Sequence, residues 1–249
     1  MDDKDQSIQL TNHLTDRDLR RMSRRELLKL TPILAVGALA LPPFNDRLLK
    51  TGLRLTDRAS QGFFNRNRLA RTFGDADVTP IEKFPVNSYS DYNPENDLVD
   101  WTLTVEGMVA RPGEYSLDQI KSLPRQRQNV EHICIEGWHV IGDFGGARLC
   151  DFLQFVGANP AARFVEVNCL DDYYSSYDIE SCLHPQTLLC YEMYGQPLSG
   201  AHGAPLRVHM PVKLGYKLAK HIYSIRVSDA LGKQKGFWED QGYSWHGGI

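Results

Sequence analysis

Cys134 stands in the run His132-Ile133-Cys134-Ile135-Glu136-Gly137-Trp138, with Gly142, Gly145 and Gly146 close behind it. A thiolate is a soft metal ligand, whereas a cysteine in an apolar run serves equally well as a small hydrophobe. Read as a strand, this run puts Glu136 on the side of the thiol and Ile133 and Ile135 on the other. The glycines that follow let a backbone come close to another group. A second cluster is His202-Gly203-Ala204-Pro205-Leu206-Arg207, followed by Lys213-Leu214-Gly215-Tyr216-Lys217-Leu218-Ala219-Lys220. Cations beside glycine-bearing turns can hold phosphate through charge-assisted bonds and main-chain N–H groups, or lie in solvent as an ordinary patch. The residues alone therefore give one thiol and one candidate anion-binding segment.

Other signals are missing from the sequence. It has no glycine-rich phosphate loop, no GxGxxG, no HExxH, no CxxC and no CxxCH. The pairs His132-x-Cys134 and Cys182-x-His184 could together supply four zinc ligands. Such a site would lack an open catalytic position and would leave the 202–220 segment unexplained.

The elements that must position these residues are short. Trp101 to Val105 alternates as a half-buried strand does, and Gly107 punctuates it. Ser116 and Gln119 have capping-box spacing ahead of Ile120 and Leu123, which predicts a short helix. Leu149, Phe152, Leu153 and Val156 fall on one helical face. Phe164 to Val167, Leu206 to Met210 and Tyr223 to Val227 read as strands. Strands with a few short helices and no regular βαβ alternation predict an α+β fold.

The chain has 249 residues, a formal net charge of −3, 42% hydrophobic residues and 24% charged residues. That composition is globular and excludes a disordered chain or a multi-span membrane protein. The near-neutral balance gives no case for nucleic acid. Five cysteines are too few and too scattered for a disulfide scaffold. Spacing alone leaves it open whether Cys150, Cys182 and Cys190 form a pair.

Ahead of the body, Ser23-Arg24-Arg25-Glu26-Leu27-Leu28-Lys29 precedes the apolar run Leu30 to Leu41. Paired arginines before such a run resemble a twin-arginine export signal. The run is short of the roughly 20 residues a membrane span needs. Residues 1–44 are therefore read as a signal region and the destination as the periplasm, with membrane association if the signal is retained. Residues 45–72 carry seven Lys/Arg against two acids. They read as a basic amphipathic segment, packed on its own domain or docked on an anionic surface. Residues 73–249 read as one domain.

Cys134 to Gly142, with Phe144-Gly145-Gly146-Ala147-Arg148-Leu149 after it, resembles the molybdenum-cysteine segment of the sulfite oxidase superfamily. His202 to Arg207 and Gly215-Tyr216-Lys217 resemble its pterin-binding stretch. Asp171-Asp172-Tyr173 and Leu188 to Met193 follow in the same order. The resemblance runs from about Trp101 to Tyr243 and implies the superfamily's molybdopterin-binding α+β fold.

By that resemblance Cys134 is the protein ligand of a molybdenum held otherwise by one pyranopterin. His202, Arg207 and Lys220 fall where the family holds the pterin phosphate and ring edge. Leu218 and Ala219 fall at main-chain contacts, and Cys169 at a side-chain contact. Asn87 and Tyr89 correspond to the segment lining the metal pocket, with Tyr89 either a substrate or proton contact or an ordinary packed tyrosine. Sulfite-oxidising members carry arginine soon after the metal cysteine, whereas this chain has Glu136-Gly137-Trp138-His139. A carboxylate there disfavours a dianionic substrate. The resemblance is then to single-domain bacterial catalytic subunits, implying oxygen-atom transfer from a sulfoxide such as protein methionine sulfoxide. Electrons would come from a membrane cytochrome of b type. A sulfite-oxidising enzyme and a non-catalytic binding protein on the same fold are the alternatives.

Overall fold

The computed structural model describes residues 51, 52, 55–57, 61, 62, 64–92, 98 and 100–249. The export-signal expectation lies outside these residues, as does much of the 45–72 segment. The chain divides into two compact units, 1–52 and 53–249, and the second holds every element described below. None of its described helices is long and apolar enough to cross a membrane.

Among the described residues, ten strands form two sheets of five. The first sheet contains β1 (Thr102–Gly107), β2 (Gly113–Ser116), β5 (Phe164–Cys169), β6 (Tyr174–Asp178) and β10 (Ile222–Ser228), in the order β2-β1-β10-β5-β6. Within it β1 and β10 run parallel, and the other neighbours are antiparallel. The second sheet contains β3 (Arg125–Ile133), β4 (His139–Arg148), β7 (Leu188–Met193), β8 (Gln196–Pro197) and β9 (Arg207–His209). In it β7 pairs with β4, β8 and β9, all antiparallel. The helices α1 (Leu117–Lys121), α2 (Leu149–Phe155) and α3 (Ile179–Cys182) are short, as the α+β reading requires.

Local sequence explains these elements. Leu103 and Val105 of β1, and Val165 and Val167 of β5, alternate into the interior. Ser116 Oγ accepts from Gln119 N at 3.3 Å while Gln119 Oε1 accepts from Ser116 N at 2.8 Å, so the capping box forms and starts α1. Leu149, Phe152, Leu153 and Val156 are all buried, and α2 lays this face on the main core with Ile120 of α1. That core joins the first sheet to Leu189, Tyr191 and Val208 of the second, so it lies between them. Full burial of a side chain such as Phe152 stabilises by about 1.5–3 kcal/mol. A smaller core of Phe84, Val130, Phe144, Leu188 and Cys190 sits behind the second sheet's hairpin.

Two local expectations meet different outcomes. Cys134 is not in a strand: β3 ends at Ile133, and residues 134–138 turn the chain into β4. Cys134 N donates to Trp138 O at 2.9 Å and Gly137 N to Cys134 O at 3.1 Å, with Gly137 at φ +92°. Alternation therefore does not apply to residues 134–136. The glycine expectation holds at Gly146, where a Cβ would collide with the Leu189 carbonyl oxygen. Strands β4 and β7 approach there at a register shift, and only glycine leaves the space.

The described part of 55–72 packs on the body. Asp57 accepts from Ser244 Oγ at 2.5 Å and from the backbone N–H groups of Trp245 and His246, each at 3.1 Å. Ala70 exchanges two hydrogen bonds with the Gln186 side chain, and Thr72 forms a bridge with Val130.

Candidate active site

The turn after β3, the 84–89 segment, the β5–β6 turn, the 200–207 loop and the 215–220 segment surround one cavity of about 340 Å³. It gathers Asn87, Tyr89, Cys134, His202, Arg207, Leu218, Ala219 and Lys220, far apart in sequence. Cys169 is not among the lining residues; it lies 2% exposed in the main core at the end of β5. Burial pushes its thiol well above the usual range.

At the mouth, Cys134 and Glu136 share the tight turn. Glu136 Oε2 lies 3.7 Å from Cys134 Sγ. It accepts from Asn87 Nδ2 at 2.8 Å and from Trp138 Nε1 at 3.0 Å. These two donors, Asn87 first, hold the carboxyl below its ordinary pKa, so it is an anion at neutral pH. Asn87 Nδ2 also reaches Cys134 Sγ at 3.6 Å. Burial raises the Cys134 thiol pKa, and a bound soft cation would favour the thiolate.

The floor is cationic. Arg207 is 2% exposed, donates through Nη1 to His202 O at 3.0 Å, and has no partner for Nε. Lys220 Nζ donates to Asn87 O at 2.5 Å and to Ala201 O at 2.9 Å. Among the described residues no carboxylate pairs with either cation. Burial, then Arg207, brings Lys220 down to about 7. His132 falls to about 3 and His202 to about 4, chiefly through burial and next through Arg207, so both imidazoles are neutral. The Nδ1 of His132 is buried without a partner.

A buried cation without a counter-charge, as Arg207 is, is costly, and an entering anion lowers that cost. The donor set fits the pterin group: a soft sulfur at one end of the cavity, and at the other a guanidinium and an ammonium open to phosphate. The partnerless Arg207 Nε is the observation that makes this fit specific.

Tyr89 lines the cavity, and its hydroxyl donates to the Asp171 carbonyl. Its ring packs on Phe237 at 4.5 Å and on Tyr173 at 5.4 Å between centroids. Burial, then Asp171, pushes its pKa up to about 12, so Tyr89 holds its proton at neutral pH. Leu218 and Ala219 line the wall; Val208 N donates to Ala219 O at 2.9 Å.

The remaining cations of 213–220 do not face the cavity. Lys213 is fully buried, with Asp178 Oδ2 at 3.3 Å and His246 O at 2.7 Å. Lys217 is bonded to Glu239 Oε1 and, at 2.9 Å, to Ser176 O. A periodic reading could not separate them from Lys220, because their partners come from β6 and from residues 239–246. For the same reason Phe84, Trp238 and Tyr243, which complete the wall, carried no sequence signal.

The zinc arrangement does not form. His184 Nε2 is 3.1 Å from Arg68 O and Cys182 is buried in the main core, apart from Cys134 in its cavity. Among the described residues no three His, Cys, Asp or Glu side chains converge as a metal site. Cys134, Cys150, Cys169, Cys182 and Cys190 are all free thiols.

Comparison with known proteins agrees with this geometry. A family model described as "Oxidoreductase molybdopterin binding domain" matches residues 90–238. A protein of Azospira oryzae, provisionally named protein-methionine-sulfoxide reductase subunit YedZ1, is 40% identical over 187 residues, covering 74% of this chain and 70% of its own. The protein-methionine-sulfoxide reductase catalytic subunit MsrP of Xanthomonas axonopodis pv. citri is 30% identical over 257 residues, covering 94% and 76%. Among solved structures, the sulfane dehydrogenase SoxCD of Paracoccus pantotrophus matches with a TM-score of 0.50 at 18% identity, over 53% of this chain and 39% of that one. That likeness concerns the fold, and it supports the sulfite-oxidase-type expectation. From the extent of the family match and the identity to its relatives, the chain belongs to the molybdopterin-binding oxidoreductases.

Proposed function

We propose that the protein binds a molybdenum-pyranopterin and reduces a neutral sulfoxide, protein methionine sulfoxide in particular, by oxygen-atom transfer. The observation that carries this reading is the single cavity lined by the Cys134 thiol, by Lys220 and by Arg207, whose Nε has no partner. The names of the Azospira and Xanthomonas relatives support the substrate class.

In this reading Cys134 ligates the molybdenum, Arg207 and Lys220 hold the pterin phosphate, and His202 lies beside them. When bound, the group supplies the two-electron chemistry of oxygen-atom transfer. The chain supplies selection, orientation and protons. Glu136 keeps a negative charge at the mouth and so disfavours sulfite and other dianions. Asn87, pinned between the thiol and Glu136, would hold these two groups in place at the mouth. Tyr89, protonated at neutral pH and bonded to the Asp171 carbonyl, would shape the cavity wall.

Electrons would be delivered by a membrane b-type cytochrome, after export of the folded protein to the periplasm by the twin-arginine route. The paired Arg24-Arg25 and the basic 45–72 segment support this. Replacing Lys50, Arg54 and Arg58 with glutamine, which keeps the Asp57, Ala70 and Thr72 contacts, and comparing partner-driven with dye-driven turnover tests docking; equal loss in both would overturn it.

The function is tested by molybdenum and pterin content of wild type and Cys134→Ala, followed by sulfoxide and sulfite assays. Stoichiometric molybdenum in the wild type, loss in the variant and turnover of sulfoxide are expected. A folded wild type without molybdenum, made in cells that synthesise the pterin, would leave a binding protein.

A further inference from the structure

His221 adjoins Lys220 and is buried, 5% exposed, with a left-handed backbone at φ +54°. Histidine tolerates this conformation better than most residues, yet it still costs free energy and persists only where surroundings fix it. Here two cavity-forming stretches, the 200–207 loop and the β5–β6 turn, meet on one residue. His221 N donates to Gly203 O at 3.3 Å, and Leu170 N donates to His221 O at 2.9 Å. Its Nδ1 lies 2.7 Å from Ala204 O; a carbonyl only accepts, so Nδ1 carries the hydrogen. The ring stands edge-on to Tyr92, with 5.2 Å between centroids.

The connections reach the anion-binding floor. Gly203 is also left-handed at φ +106°, and a Cβ there would stand 3.0 Å from Lys220 Cβ and 3.2 Å from Arg207 Cβ. On either side of His221 the chain is tied to the Arg207 strand: Val208 N donates to Ala219 O at 2.9 Å and Ile222 N to Leu206 O at 3.0 Å. Lys220 and His221 therefore form a kink between two fixed points. The kink directs the Lys220 ammonium to Ala201 O and Asn87 O.

We infer that His221 is a positioning residue for the anion-binding site: its left-handed backbone and its Nδ1–H bond to Ala204 O set Lys220 against Arg207. The imidazole itself is not among the cavity-lining residues, so it acts through Lys220. This rests on the pterin reading of the cavity.

Three variants of the exported holoprotein test it. His221→Asn keeps a residue tolerant of the left-handed region and keeps an N–H donor. His221→Gly keeps the backbone conformation without strain but removes the donor, so it should fold. Val165→Ala, in the main core, controls for general loss of stability. The readout is the rate at which pterin leaves the protein during dialysis, measured by mass spectrometry, alongside Tm.

His221→Gly should release pterin about tenfold faster than wild type or more, as expected when a partner holding a ligand group is lost. His221→Asn should stay near wild type, and so should Val165→Ala despite its lower Tm. Retention by His221→Gly equal to wild type would overturn the inference. So would equal release from His221→Gly and His221→Asn, or release from Val165→Ala as fast as from His221→Gly. Wild type without pterin would instead overturn the function on which the inference rests.

Discussion

The Glu136 carboxylate lies 3.7 Å from the Cys134 sulfur, and both belong to the turn that ends β3. A negative charge is thus built into the entrance of a cavity whose floor is positive. Under the proposed function the floor would hold the pterin phosphate, while the entrance would filter what comes after it.

Glu136→Gln removes this filter and retains an amide of nearly the same shape. Access of sulfite should improve roughly tenfold at low ionic strength and less at high salt, as for other electrostatically steered ligands. Turnover of a neutral sulfoxide should change much less. Competition assays with sulfite at two salt concentrations would show it; equal responses to charged and neutral substrates would count against it.

Arg207→Met should have opposite effects on stability and loading. The buried guanidinium has an unpartnered Nε and no carboxylate, so replacing it with an apolar side chain should stabilise the cofactor-free protein by about 1–4 kcal/mol. That corresponds to Tm rising about 2–4 °C per kcal/mol for a domain of this size. Pterin content should fall sharply in the same variant. Calorimetry of cofactor-free protein and pterin analysis measure the two halves separately.

Lys220, brought down to about 7 by burial, gives the empty cavity a pH dependence. A folded-state pKa below the unfolded value means that the folded state binds fewer protons between about 7 and the ordinary lysine value. Stability from this group therefore rises with pH across that window. Anion binding has the other sign, because it needs the ammonium. Pyrophosphate affinity of the cofactor-free protein should weaken as pH rises from about 6 to about 8, with proton uptake on binding. Lys220→Arg should flatten the profile, and titration calorimetry in buffers of different ionisation heat reads both.

Glu239→Ala would leave Lys217 buried without its carboxylate, and unfolding should become easier by about 3–5 kcal/mol. Replacing both with apolar residues should recover much of the loss. Denaturant melts of the single and double variants decide between a structural ion pair and an incidental one.

The sequence carried the site's chemistry further than its geometry. The residues alone gave one thiol and one cationic segment; the family resemblance singled out Cys134, His202, Arg207 and Lys220, and the structure brings all four to one cavity. The strand reading of 132–136 failed because Gly137, at φ +92°, turns the chain one residue after Glu136; alternation sees residue types and not the turn. Lys213 and Lys217 looked equivalent to Lys220 because what separates them is Asp178, Glu239 and His246, outside the run. Helices α1 and α2 were legible because capping and apolar spacing are local signals. Trp238 and Tyr243 were not, since nothing local marks a residue that reaches a cavity from a returning loop.

The cavity wall joins Asn87, near the start of the folded unit, to Tyr243, more than 150 residues later in the chain. A nascent piece that stops short of Tyr243 lacks part of that wall. Under the proposed function, loading would then follow translation of the whole stretch, and transport of the loaded protein would move a folded domain and not a thread.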